Sequence, residues 1–272
     1  MNAIFAIFDA AVAVVGAIWH SLPQSVSEII FLGGLSVVGA MASFVNMLSG
    51  GGSMLVLGLM MLAGIDPVVA NATNRVGVCI STATGAAAFR GEKAAELRES
   101  IKLGLWSIPG AIAGAFFSVR ISGEMYEKIL AVVMIIIVAS MFLKKRTDSQ
   151  NEAANAPGKW VFPAMLLVGF YGGAIQVGVG IVIFGVLRHL AHMKLMRINV
   201  HRVFIVFVFS IPSLAVFIWS GKINWSYAAA LCIGSAIGSW VTVKWTLKKG
   251  EKVIRIGLAA SVVLMSLKFL IF

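Results

Sequence analysis

"VVANATNRVGVCISTATGAAAF", residues 68–89, is long enough to cross a membrane and mostly small or apolar, yet it places Asn71, Asn74 and Arg75 in its first third. A helix rises about 1.5 Å per residue, so from a start near Val68 the arginine lies roughly 10 Å inside. A charge at that depth costs at least about 2.5 kcal/mol on insertion scales. It needs a cavity or a partner. Asn71, Asn74, Arg75, Val78 and Thr82 follow a spacing of three and four and therefore share one helix face. A second phrase, "INVHRVFIVFVF" at residues 198–209, repeats the Arg-Val step, with Arg202 standing 127 positions after Arg75.

The surrounding chain explains why lipid is the relevant solvent. Of 272 residues, 60% are hydrophobic and 12% charged, with a mean hydropathy of +0.96. No soluble domain of this length needs so much apolar surface. The apolar runs are long and unbroken, which excludes a β-barrel, and backbone amides in lipid must be satisfied internally, which leaves helices. The reading is an all-α polytopic membrane protein of eight to ten membrane segments. The net charge of +11 reflects Lys and Arg in short loops rather than a nucleic-acid surface. Cys79 and Cys232 stand alone in apolar segments and read as small core residues. The N-terminal run at 3–19 has no basic residue before it and is interrupted by Asp9, so it reads as a retained span or interfacial helix rather than a cleaved leader.

Apolar segments fall at 3–19, 29–48, 52–65, 68–89, 103–121 and 125–143, then at 160–176, 178–190, 198–219, 225–246 and 253–271. The polar stretch 144–159 separates them. This gives an N-terminal span and loop at 1–28, a first membrane repeat at 29–143, a cytoplasmic linker, and a second repeat at 160–272. At the offset of 127, Gly51 aligns with Gly178, Arg75 with Arg202, Val76 with Val203, Gly123 with Gly250 and Glu124 with Glu251. Small-residue phrases at 110–115 and 234–239 also correspond. Basic residues crowd segments 90–102, 144–159, 188–197 and 248–255, which places those segments in the cytoplasm. The basic loop follows the Arg75 helix but precedes the Arg202 helix, so the two helices cross in opposite senses: two inverted-topology repeats, an arrangement common in secondary transporters. The same rule puts the N-terminus in the cytoplasm and the C-terminus in the periplasm.

Glycines interrupt both halves at matching places, in "LSGGGSM" and "AIQVGVGIV". Each interruption is either a turn between two full spans or the tip of a broken-helix hairpin. Broken helices expose amides that bind anions, and they point to a transporter site; close helix packing explains the same glycines equally well. The candidate substrate-binding residues are Gly51, Gly52, Ser53, Asn71, Asn74, Arg75, Gln176, Gly178, Asn199, His201 and Arg202. Guanidinium groups suit two-point contact with an oxyanion. For Arg75 the competing reading is that it snorkels to the interface or bonds the carbonyls of a broken helix. The same competing reading applies to Arg202, where the purely apolar run starts just after it. His201 stays open between ligand, proton carrier and interfacial residue.

The chain has no nucleotide-binding phrase, no metal-ligand cluster and no nucleophile triad, so no cofactor, metal or catalytic residue is expected. Acidic residues are almost missing from the spans, which argues against proton-driven import unless His201 carries the proton.

The stretch "LSGGGSMLVLGLMMLAGIDPVVANATNRVGV" resembles the first repeat signature of the sulfite exporter TauE/SafE family, through Gly50 to Gly52, Asp66-Pro67, Ala70, and Asn71 to Arg75. "RINVHRVFI" is similar to the family's later element through Asn199, Arg202 and Val203, and the glycines of "GFYGGAIQVGVGI" also match. Val200 and His201 depart from the small residues usual there. The resemblance covers roughly residues 30–270. It implies a bacterial inner-membrane permease of two related halves, embedded in the lipid bilayer, whose partner is a small sulfur oxyanion or sulfonate. An anion channel and a membrane-bound enzyme or redox partner are the alternatives, and pairing of two copies as a homodimer stays open.

Overall fold

A computed structural model describes residues 24–48, 50–89, 94–142, 160–193 and 195–249. The expected spans at 3–19 and 253–271, the linker at 144–159, Ser49, and the Gly250 and Glu251 matches lie outside the described residues. Within them the chain forms nine helices and no strand: α1 Gln24–Leu48, α2 Ser53–Leu62, α3 Pro67–Ala88, α4 Ala94–Arg120, α5 Gly123–Phe142, α6 Val161–Ala174, α7 Val179–Leu190, α8 Leu195–Trp219 and α9 Trp225–Lys249. The protein is an all-α polytopic membrane protein. Stretches of α1, α4, α8 and α9 are long and apolar enough to span a membrane.

The two glycine interruptions are helix breaks. At about 1.5 Å per residue, the 10 residues of α2 and the 12 of α7 reach roughly 15 and 18 Å. Both fall short of the roughly 30 Å hydrocarbon layer. At the first break the chain turns back on itself, because Gly52 lies against Ala42 and Asn46 of the helix it has just left. Gly50 has φ +82° and Gly178 +69°, a left-handed backbone that glycine adopts without a Cβ clash. The tips of the two breaks meet, with Gly50 packed against the backbone of Gly180.

Lipid offers no hydrophobic force between helices, so close packing relies on small residues. A methyl on Gly110 of α4 would overlap the Leu166 carbonyl of α6, and one on Gly169 would overlap that of Ser107. Gly234 and Gly238 of α9 approach the Ser36 and Ala40 carbonyls of α1 in the same way. The paired small-residue phrases of the sequence are thus backbone-to-backbone seams. Ser107 meets Gly169 and Ala111 meets Gly173, so α4 and α6 run parallel. By the same reasoning α1 and α9 are parallel. The central pair is different: Arg75 of α3 reaches Ser213 of α8, while Gly85 faces Val203, so α3 and α8 run antiparallel.

The most extensive packing joins the two sides of the linker: α4 with α6 and α8, α9 with α1 and α3, and α3 with α8. Each of these contacts maps onto another, or onto itself, when the two sides are exchanged. Shifted by 127, the bounds of α2 become 180–189 and those of α3 become 194–215, close to the observed α7 and α8. Helix α3 sits at the centre. Asp66 caps it by accepting from the Val68 and Val69 amides, Pro67 opens it, and thirteen of its residues are buried, Asn71 through Arg75 included. Cys79 and Cys232, expected in the core, are free thiols and partly exposed.

Gly110→Ala and Gly234→Ala should each lower the thermal stability of the detergent-purified protein, by roughly 1–3 kcal/mol of overpacking. Gly33→Ala is the control, since a methyl placed there would meet nothing within 4 Å, and its melting temperature should hold or rise.

Candidate functional site

A helix that ends inside a membrane leaves its last four carbonyls without an intrahelical partner. Each unsatisfied group in hydrocarbon costs several kcal/mol. At the end of α6 the protein supplies a partner for every one. The Tyr171 carbonyl accepts from the Ile175 amide at 2.9 Å. Arg75 Nη1 donates to the Gly172 carbonyl at 3.0 Å and to Ser213 Oγ at 2.8 Å, and its Nη2 donates to the Gly173 carbonyl at 2.8 Å. Asn71 Nδ2 donates to the Ala174 carbonyl at 3.1 Å. Beyond the helix, Tyr126 donates to the Ile175 carbonyl and Tyr171 to that of Val177. The Phe217 ring covers the guanidinium, its centroid 4.6 Å from Arg75 Cζ. Arg75 is 0% exposed. Of its two readings, the bond to broken-helix carbonyls is the one the geometry contains, and the positive charge also faces the negative end of a helix dipole.

The second half returns the favour at the end of α1. Arg202 Nη2 donates to the Met47 carbonyl and to Asn199 Oδ1, both at 2.5 Å. Arg202 is buried rather than interfacial. Its second terminal nitrogen, Nη1, has no hydrogen-bond partner among the described residues and lies beside Gly180.

Between the two break tips is a cavity lined by Asn46, Gly50, Ser53, Thr82, Gln176 and Arg202, with an apolar wall that includes Val78, Val179 and Val206. Two helix N-termini open on it: α2 at Ser53 and α7 at Val179. Asn46 caps the first, accepting from the Gly52 amide at 2.7 Å and the Ser53 amide at 3.3 Å. The second has Gly178 as its N-cap and no side-chain cap. Gln176 completes the lining. It is 2% exposed, neither of its side-chain polar atoms has a partner among the described residues, and it holds φ +63°, unusual for a residue with a Cβ.

Of the residues expected from sequence, Ser53, Gln176 and Arg202 line this cavity; Gly51, Gly52 and Gly178 form its break tips. Asn71 and Arg75 turn instead to the end of α6. Asn199 holds Arg202. Asn74 is buried with its Nδ2 unpartnered. His201 lies against Ser100 of α4, its Nδ1 2.7 Å from the hydroxyl. The shared face of α3 divides, with Thr82 and Val78 reaching the cavity one to two turns beyond Arg75. Asn46, which stands close to the first glycine run in sequence and offers a polar side chain there, lines the cavity; Gly180 as a lining residue, and Ser213, Tyr126 and Tyr171 as capping partners, were outside the expected set. Only the glycine run around Gly180 signals its place in the sequence; the capping serine and Tyr126 are brought in from far along the chain.

Broken helices that meet at a small, mostly apolar cavity with a few polar groups occur in secondary transporters, and the comparisons place the chain among membrane transporters. The chain matches the sulfite exporter TauE/SafE family over residues 35–269, and it belongs to that family. It is 25% identical to the probable membrane transporter protein ORF9 of Sinorhizobium sp over 222 residues, covering 81% of this chain and 85% of the relative. It is 26% identical to the probable membrane transporter protein YfcA of Escherichia coli K12 over 246 residues, covering 89% and 90%. It is 25% identical to the probable membrane transporter protein YunE of Bacillus subtilis over 230 residues, covering 75% and 84%. No solved structure matches.

Arg75→Ala should strip two carbonyls and a hydroxyl of their donor at once and lower stability by at least about 2 kcal/mol. Arg75→Lys should recover part of this, since an ammonium cannot match the planar fork. Thermal unfolding of the two purified variants against the parent reads the difference.

Proposed function

We propose that this protein is a secondary transporter that moves a small anion, a sulfur oxyanion or sulfonate, across the bacterial inner membrane by alternating access, with the cavity between the break tips as the central binding position. The observation that carries the reading is the convergence of unspent donors on that cavity. Arg202 Nη1 and the Gln176 amide have no protein partner among the described residues, and an uncapped helix N-terminus opens beside them. Amides and the positive dipole end at a helix N-terminus favour an anion. Arg75 and Asn71 hold the end of α6 and so place Gln176.

The antiparallel α3 and α8 and the exchange symmetry of the contacts support two inverted repeats, 29–143 and 160–272, joined by a cytoplasmic segment at 144–159. Rocking or gating of one repeat against the other would open the cavity to each side in turn. The basic segments favour a cytoplasmic N-terminus and a periplasmic C-terminus. The family's description supplies the sulfur anion. A negative cell interior drives such an anion outward, worth about 2.3 kcal/mol per charge at 100 mV.

The test is counterflow of labelled sulfite, thiosulfate, sulfoacetate and taurine in vesicles carrying the purified protein, beside a thermal-shift screen of the same compounds. Saturable counterflow is expected, and large single-channel currents would instead make the protein a pore. Arg202→Gln should abolish counterflow. Gln176→Gly is the sharper variant. It removes the two free polar atoms and relieves a left-handed backbone. Thermal stability should hold or rise while affinity falls about fivefold to tenfold, the worth of one or two hydrogen bonds. Unchanged affinity in Gln176→Gly would remove the cavity from the transport path.

A further inference from the structure

His201 is 0% exposed, and the fold uses only one of its two ring nitrogens. Nδ1 lies 2.7 Å from Ser100 Oγ on α4. Among the described residues Nε2 has no hydrogen-bond partner, and it points toward Glu99, whose Oε2 is 3.8 Å away. Glu99 is already bound by Arg197, Nη2 to Oε2 at 2.6 Å. A buried imidazole edge left open, facing a carboxylate whose charge is already balanced, has no packing purpose. The next residue in the chain is Arg202, on the wall of the central cavity.

We propose that His201 is a proton-binding site that couples proton movement to anion movement, an inference that rests on the transport reading above. With Nδ1–H donating to Ser100, the tautomer we assign, Nε2 presents a lone pair toward Glu99. A proton taken from water adds to that lone pair, the imidazole becomes imidazolium, and the same proton leaves to water on the other side. No other bond changes.

The surrounding charges supply the coupling. From α4 comes Glu99; from α8 itself come Arg197 and Arg202. Neither α3 nor α9 contains an acidic residue. Arg188 of α7 is turned to the Met193 carbonyl, and Lys244 of α9 lies over Trp240. Glu99 and Arg197 cancel, so a protonated His201 adds one net positive charge near Arg202. An anion held by Arg202 offsets that charge. Each ligand therefore favours the other, and the effect is reciprocal by linkage. The cluster joins the starts of α4 and α8, which run parallel since Ser100 meets His201 and Gly104 meets Val208. Both helices begin on the side with the basic connecting segments.

The test has two arms on the full-length protein, with thiosulfate as the anion because its charge is constant over the range used. In vesicles containing a pH-sensitive dye, labelled thiosulfate and internal pH are followed together. Wild type should move protons with label in a fixed ratio, and whatever label His201→Gln moves should carry none. Label moving without protons in wild type overturns this inference alone; no movement of thiosulfate, sulfite, sulfoacetate or taurine by wild type overturns the transport reading, and the second arm then decides. That arm follows labelled histidine by NMR in purified protein, His201→Gln identifying the signal among the four histidines. The signal should shift on protonation as the pH is lowered through the range in which the protein stays folded. Thiosulfate should move its midpoint upward in wild type and not in Arg202→Gln. A signal that does not titrate in that range, or that ignores the anion, overturns the proposal.

Discussion

A helix cannot stop in the middle of a bilayer unless something accepts the cost of its open carbonyls, and the way this protein meets that requirement shapes everything else. Water is absent there, and every buried carbonyl needs a donor. At the end of α6 the donors are Arg75, Asn71 and Tyr126, each from a helix on the other side of the linker. At the end of α1 the donor is Arg202, again from across the linker. A buried arginine that would be prohibitive alone becomes the least costly way to end a helix, because its fork satisfies several carbonyls at once and its charge opposes the helix dipole.

The two arginines thereby do more than tolerate the membrane. Because each caps the opposite half, neither break can keep its geometry without the other half in place. The small-residue seams act in the same direction, fastening α4 to α6 and α1 to α9 across the halves. Ending α1 and α6 at these breaks also means starting α2 and α7 beside them. The starts of α2 and α7 bring amide groups to a cavity otherwise walled by valines. The same breaks that leave carbonyls to be capped also bring helix N-termini to the cavity. The two ends differ in how far they spend their donors: the α6 end uses both terminal nitrogens of Arg75, whereas the α1 end leaves Arg202 Nη1 unused at the cavity. That asymmetry separates an arginine whose terminal nitrogens the fold uses in full from one that keeps a terminal nitrogen free.

Much of this was legible in the residues. Long apolar runs implied the helical membrane class, since lipid leaves the backbone no other choice. The offset of 127 located both breaks and both arginines, because the same backbone demand recurs at the same spacing. Asn71, Asn74 and Arg75 were marked by cost alone, as polar groups where lipid would otherwise be. Gly51, Gly52 and Gly178 were marked by their freedom from a side chain. What sequence left open was direction. The face of α3 that bears Arg75 also bears Thr82, and spacing cannot say that Arg75 turns to a helix end while Thr82 lines a cavity.

The sequence by itself determined a helical membrane protein with two glycine breaks and two arginines at matching spacing, for these follow from local composition and period. Tertiary structure alone decided that Arg75 serves carbonyls 97 and 98 residues away, that Arg202 keeps one nitrogen free, and that His201 meets Glu99 and Ser100 of another helix. The reason is physical. A side chain's task depends on which unsatisfied group the fold carries to it, and those groups are backbone carbonyls and distant side chains whose approach leaves no mark in the neighbouring residues.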